Sequence, residues 1–324
     1  MTADRVGPHS AVRRNVTDRI PRALFVAVLL IGLWPIEGRA QQGGVELLAP
    51  EMLFAQGWRF SLTALRREDR DLYDGTQTVS DALGQRFTEH AVVLGIDYGI
   101  RHDFSLSALV PYVHRELRVF DGTRHRHLTA EGLGDVVLMA KYLAWKRHWR
   151  RGAAHWAVVG GVELPTGEAR ETRDGVRLPS KVQPGRGAWT PIVASSVNLE
   201  MDRTRFDLVG LIKLNQEGTS DLRKGNQYSL EFDAGYRWYH AQYPGPSHSV
   251  KIGILWRHES RSRQNGSDVA NSGSDVLILR PGLTFHFTPG TTIKVSYDWP
   301  IYRHYHGQQL GYEERFAVAF GIRF

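Results

Sequence analysis

Two histidine pairs are the first candidates for chemistry: His125 and His127 in His-Arg-His, and His304 and His306 in His-Tyr-His. Alternate residues of an extended chain project to one side, so either pair sets two imidazoles where one metal ion would meet both. Solvated histidines produce the same pattern, and neither pair has an acid partner nearby in sequence. No His-Glu-x-x-His and no Gly-x-Ser-x-Gly occurs, so the usual local signatures of a zinc hydrolase or a serine nucleophile are missing. The absence of cysteine excludes a thiolate metal site, a cysteine nucleophile and a disulfide framework together. These residues assign no catalytic group, no metal and no cofactor.

The remaining ionisable residues have a different distribution. Glu89, Asp97, Asp135, Lys141, Glu163, Asp207, Lys213, Glu231, Asp233, Arg237, Lys251, Arg257, Arg280, Lys294, Asp298, Arg315 and Arg323 are spread along alternating segments, opposite apolar neighbours. Twelve such segments occur, near 57–67, 87–100, 104–118, 133–146, 154–165, 189–200, 205–216, 226–240, 249–259, 276–287, 292–302 and 313–324. The alternation is cleanest in the later ones. Tyr228, Leu230, Phe232, Ala234, Tyr236 and Trp238 oppose Glu231, Asp233 and Arg237, and Val250, Ile252, Ile254 and Trp256 oppose Lys251 and Arg257. In a strand, this places one kind of residue on each face.

The end of the chain shows which face is which. Phe316, Val318, Phe320, Ile322 and Phe324 are large and apolar, while Ala317, Ala319, Gly321 and Arg323 between them are small or polar. An apolar-out, polar-in strand finishing on an aromatic residue suits the closing strand of an outer-membrane barrel, where it also serves as an assembly signal. Connections agree with this. Links at 101–103, 201–204, 243–248 and 288–291 are short; those at 68–86, 119–132, 166–188, 217–225, 260–275 and 303–312 are long and polar. Short periplasmic turns and long external loops are what such barrels have, with an even strand number bringing both termini to the periplasm. The expected fold is all-β: a transmembrane antiparallel up-and-down barrel of about twelve strands.

The other terminus predicts export. Arg5, Arg13, Arg14, Arg19 and Arg22 precede the apolar run Ala23–Leu33, and Gly38-Arg39-Ala40 has small residues where a signal peptidase reads. The run is too short to span a bilayer as a helix. The expected organisation is therefore a signal peptide over 1–40, a short periplasmic segment over 41–56 and a barrel over 57–324. The formal net charge of +7 includes six Lys/Arg and three Asp/Glu before Gln41; the rest carries 35 − 31 = +4, which gives nucleic-acid binding little support. Trp58, Tyr98, Tyr112, Trp145, Trp156, Trp189, Tyr228, Trp238, Trp256 and Trp299 are expected as interfacial girdle residues.

Three short motifs follow one another: Gly132-Leu133-Gly134-Asp135, then Lys141-Tyr142, then Leu164-Pro165-Thr166-Gly167. Their order, with the terminal aromatic strand, resembles the outer-membrane family named for the MetA-pathway of phenol degradation. The resemblance implies an outer-membrane barrel associated with aromatic-compound catabolism. Physically, the glycines let the chain turn into a strand, Pro165 ends one by withholding a donor, and Asp135 and Lys141 share a parity that points both inwards.

The expected function is passage of a small molecule, hydrophobic and aromatic ones among the candidates, through a charged lumen. Expected partners are outer-membrane lipids and lipopolysaccharide, the barrel-assembly machinery and the solute, with no nucleic acid. The alternatives are a structural or surface-exposed barrel without transport and an outer-membrane lipid-modifying enzyme. Residues 41–56 are too few for a folded plug domain.

Overall fold

The computed structural model describes Leu48, residues 51–120 and residues 122–324. The expected signal peptide, with its cleavage site near Ala40, lies outside the described residues. Eleven long strands build the wall: β1 (Trp58–Gly75), β2 (Arg86–Arg101), β3 (Phe104–Phe120), β4 (Val137–Trp149), β5 (Gly152–Glu163), β6 (Thr190–Met201), β7 (Thr204–Lys213), β8 (Gln227–His240), β9 (Ser247–Glu259), β10 (Ser274–His286) and β11 (Thr291–Arg323). Each is antiparallel to the next, and β11 returns to pair with β1. The sheet is closed.

At 33 residues, β11 is a hairpin rather than one crossing. Its first limb is antiparallel to β10 and its second to β1. In an alternating ring β10 and β1 run in opposite directions, so a straight strand could not oppose both. Gly307, at a φ of 79°, lies between the limbs, where a left-handed residue favours glycine. The ring therefore has twelve crossings, the even number expected.

The strands rise higher than the alternating segments indicated. Residues 68–75 were expected in a loop but continue β1. The stretch 303–312, also expected as a loop, carries the upper ends of both limbs of β11. His125–Leu133 pairs with the upper half of β3, above β4. A strand of sixteen residues tilted near 40° stands roughly 40 Å tall, against an apolar band of about 25 Å. Above that band water touches both faces, and the alternation that reveals a strand fades.

Leu62, Leu94, Leu106, Leu138, Val193, Leu230, Ile252 and Phe320 are exposed on the outer surface. Trp58, Trp145, Trp156 and Trp238 ring the end with short turns, and Tyr112, Trp256 and Trp299 lie towards the other. This apolar belt between aromatic rings is the lipid-facing surface of an outer-membrane barrel. The chain is such a barrel.

The closing seam runs from Gly75 and Tyr305 down to Trp58 and Phe324. Trp58 N–H donates to Phe324 O at 2.8 Å, Phe324 N–H donates back to Trp58 O at 3.0 Å, and Phe60 stacks on Phe324 with centroids 5.8 Å apart. Phe316, Phe320, Ile322 and Phe324 are exposed, and Val318 shares their outward parity. We expect deletion of Phe324 to cost about 2 kcal/mol, from two backbone bonds at roughly 1 kcal/mol each, and to reduce the heat-modifiable folded band in cold SDS gels. An unchanged folded fraction and unfolding midpoint would contradict this.

Candidate functional site: the barrel lumen

The inner face carries two apolar clusters set among charged side chains. Leu65, Ala91, Val93, Leu109, Val137, Met139, Val159, Ile192, Ala194 and Val209, from β1 to β7, form one buried apolar cluster. Leu48, outside the wall strands, packs into the same cluster. A second cluster, Tyr73, Leu255, Val276, Ile278, Tyr305 and Tyr312, lies on β1 and β9 to β11, beside a network of charges. Arg280 holds Asp298 through Nε at 2.6 Å and Nη2 at 3.0 Å, and donates through Nη1 to Glu231 at 2.5 Å. Asp298 also accepts from Tyr312 Oη at 2.7 Å and pairs with Arg315 at 3.1 Å. Lys251 donates to Asp233 at 3.0 Å.

All fourteen candidate lining residues have inward parity or a buried position. Glu89, Asp97, Asp135, Lys141, Glu163, Lys213, Glu231, Asp233, Arg280 and Asp298 are buried; Arg237, Lys251, Arg257 and Lys294 are partly so. Many are paired: Glu89 with Arg115 at 3.4 Å, Asp97 with Arg59 at 2.9 Å, and Glu163 with Lys213 at 3.2 Å. Arg257 differs. Its guanidinium lies 5.4 Å from the centre of the Tyr312 ring, with Nε and Nη2 buried and unbonded. It faces a cavity of about 380 Å³ shared with Arg67, Lys181, Arg186, Tyr305 and Arg315. A lower cavity of about 150 Å³ also touches Leu65 and Arg315, and shares Arg59, Lys251 and Lys294 with a third of about 460 Å³. The three adjoin one another in a chain along the lumen.

Each end of this chain is narrowed by non-wall residues. At the upper end the 164–189 loop folds inward. Val182 and Leu178 pack with Phe87, Leu117 and Ala130, and Lys181 Nζ lies 2.8 Å from Asp69. Gln183 holds the loop's shape, donating to Glu171 O and Leu178 O at 2.9 Å and accepting from Glu171 N–H at 2.8 Å. The short motifs anchor it. Asp135 accepts the amides of Gly167 at 3.0 Å and Arg186 at 2.8 Å, while Thr166 accepts from Val136 N–H at 2.9 Å and donates to Gly134 O at 3.2 Å. A Cβ on Gly167 would lie 2.8 Å from Gly134 backbone, so the two motifs touch through their glycines. Gly132, at a φ of 152°, admits the jog between His125–Leu133 and β4 that turns Asp135 inward. Asp135 and Lys141 do not form a charge pair: six residues of strand separate them by about 20 Å.

At the lower end the lead-in to β1 runs along the inner wall. Lys141 Nζ donates to Glu51 O at 2.9 Å, and the Glu51 carboxylate pairs with Arg205. Gln56 N–H donates to Gly99 O at 2.6 Å, and Leu53 is buried. Residues 51–56, part of the segment expected over 41–56, thus partly occupy the mouth at the end with the short turns.

Sequence reading missed Arg59, Arg67 and Arg115, although their parity matched that of Leu65 and Val113. It also missed Asp69, Tyr305 and Tyr312, which fell in expected loops. No sequence signal located Leu48 or Glu51.

The family model described as the MetA-pathway of phenol degradation matches residues 72–312. The chain belongs to this family. Among solved structures, it is similar to an outer membrane channel from Pseudomonas putida F1, with 16% identity, a TM-score of 0.63, and coverage of 85% of this chain and 98% of that one. Weaker likenesses include the β domain of the Bordetella autotransporter BrkA, 11% identical with a TM-score of 0.45 over 83% of this chain and all of the other. The monoaromatic hydrocarbon channel CymD is 9% identical, with a TM-score of 0.41 over 89% and 94%. No curated protein matches. The family and the barrel place the chain in the bacterial outer membrane.

Two outcomes follow. Asp298→Ala removes the shared partner of Arg280, Arg315 and Tyr312 and should destabilise the barrel by about 3–5 kcal/mol, read by urea unfolding in liposomes; a change under about 1 kcal/mol would show the network to be dispensable. Arg205 is the main cause holding the Glu51 carboxyl well below the usual carboxylate range. A depressed pKa means that docking favours the ionised acid: its contribution is present above the free carboxyl's pKa and is lost as pH falls through the docked one. Glu51→Gln should therefore raise single-channel conductance at neutral pH, whereas the parent should keep its low conductance when the pH is lowered to about 4, within the range of free carboxyls.

Proposed function

We propose that the barrel is a passive outer-membrane channel for small amphipathic molecules, each with an apolar or aromatic body and a polar or anionic group. One observation carries this reading: the adjoining lumen cavities are lined by many cationic side chains, Arg59, Arg67, Lys251, Arg257, Lys294 and Arg315 among them, with Leu65, Phe87, Val209 and Tyr312 beside these. A ring packs against the apolar and aromatic side chains while its hydroxyl or carboxylate exchanges among the guanidinium and ammonium groups. Arg257, with open donors beside Tyr312, suits an anionic or phenolic oxygen. The family's description supports an aromatic solute of the phenol type. The inward loop and residues 51–56 would act as constrictions that yield for passage.

The reading favours a channel over an enzyme because most of the inner acids and bases are tied into ion pairs, and no nucleophile–base–orienting group is legible among them. Lipopolysaccharide would contact the outer aromatic rings, and the assembly machinery would read Phe316, Val318, Phe320, Ile322 and Phe324 as a closing strand.

Planar-bilayer recording should show small, anion-preferring conductance, and Lys294→Glu should move the reversal potential towards cation preference. Liposomes carrying the protein should admit phenol-sized solutes and exclude oligosaccharides. Absence of both conductance and solute entry, also after removal of residues 41–56, would leave a structural barrel.

A further inference from the structure

Outside the lumen, a second cluster of chemically capable side chains lies on the outer face of the upper wall. One of the two histidine pairs, His304 and His306, is on the first limb of β11, two residues apart and on the same side. Asp275 of β10 is the register partner of His304, and His258 of β9 is the register partner of Asp275. The metal-capable atoms of Asp275, His304 and His306 all lie within 4.8 Å of one another. His258 Nδ1 is 2.9 Å from Asp275 Oδ1, which fixes the carboxylate. The two imidazoles meet nearly edge to face, with centroids 5.0 Å apart. Gly273 makes room: a Cβ there would stand 3.1 Å from the His306 ring.

We propose that Asp275, His304 and His306 bind a divalent first-row transition metal of the Zn²⁺ type, with His258 orienting the carboxylate. Two imidazoles and one carboxylate form a donor set preferred by Zn²⁺ and its neighbours over Ca²⁺ or Mg²⁺. Tetrahedral bonds of about 2.1 Å need donors roughly 3.4 Å apart, within reach of small side-chain rotations. The three donors are partly exposed, so a fourth position opens outward, level with or just above Trp256.

The location gives the ion a structural consequence. The β10–β11 seam has a register shift at Leu277/Ile278, and Pro281 and Pro300 lie within the two strands without amide donors. Donors from both strands, just above this break, would let one ion staple the seam. Ligand binding to the folded barrel alone must raise its stability.

The test uses full-length mature protein without an affinity tag, folded in detergent, stripped with EDTA and dialysed. Zn²⁺ titrated by calorimetry should bind one per chain at this site, and Co²⁺ should give visible ligand-field bands. His304→Ala with His306→Ala should abolish the bands and weaken Zn²⁺ binding by at least about tenfold. His125→Ala/His127→Ala and His148→Ala, which remove histidines elsewhere, should leave both readouts unchanged. Zn²⁺ should raise the parent's unfolding temperature and leave that of the double variant unmoved. Cold SDS gels establish that each variant is folded; Asp275→Asn serves if the histidine variant is not. Parent protein that binds no Zn²⁺, or binding equal in parent and folded variant, would overturn the proposal. Channel conductance is not a readout, so this result is independent of the transport reading.

Discussion

The structure depends on pairing every backbone amide and carbonyl within hydrocarbon, where no water can replace a missing partner. A sheet meets that requirement only by closing. Here β1 and the second limb of β11 make the closure, ending in the reciprocal bonds between Trp58 and Phe324. The even number of crossings, the alternation of short and long links and the apolar outer belt all follow from a closed sheet lying in a bilayer. The proline-bearing seam between β10 and β11 is one departure from regular pairing, and it runs just below the outer histidine–aspartate cluster.

Closing the sheet creates an interior that has to be filled. Within the lumen, isolated ions would be costly away from bulk water, and the chain answers with shared partners: Asp298 meets Arg280, Arg315 and Tyr312 together. Such a network is sensitive to loss of one member, because removing it strands the others. Between the ions the filling is apolar, in two clusters, and Leu48 contributes to one of them from outside the strands. The lumen is therefore neither a water-filled tube nor a solid core. It is a chain of cavities among mixed charged and apolar side chains, narrowed by a loop above and a lead-in segment below.

The short motifs illustrate how far local reading extends. Glycine and proline in Gly132-Leu133-Gly134-Asp135 and Leu164-Pro165-Thr166-Gly167 announce backbone bends, and that much is local chemistry. Their joint role is not local: Asp135 binds the amide of Gly167, 32 residues away, and so fixes the entry of the inward loop. Legibility also varied around the barrel. Segments containing Glu231, Asp233, Lys251 and Lys294 alternated cleanly because their inner face is charged. Segments such as Ala91–Ile96 and Val137–Ala140 blurred, because both faces are apolar there. That blur was the available sign of the apolar cluster inside the lumen.

What the amino-acid order determined alone was the class of object. Side chains alternate across a strand whatever its neighbours, so periodicity reveals two faces, and Phe316–Phe324 shows that the oily one can face lipid. The inward set from Glu89 to Asp298 follows from the same parity. What only tertiary structure decided was which charges meet, which loop turns inward, that residues 51–56 enter the mouth, and that Asp275, His304 and His306 converge. Those contacts join residues far apart in the chain, and they depend on strand register, which is set by the closure of the whole sheet.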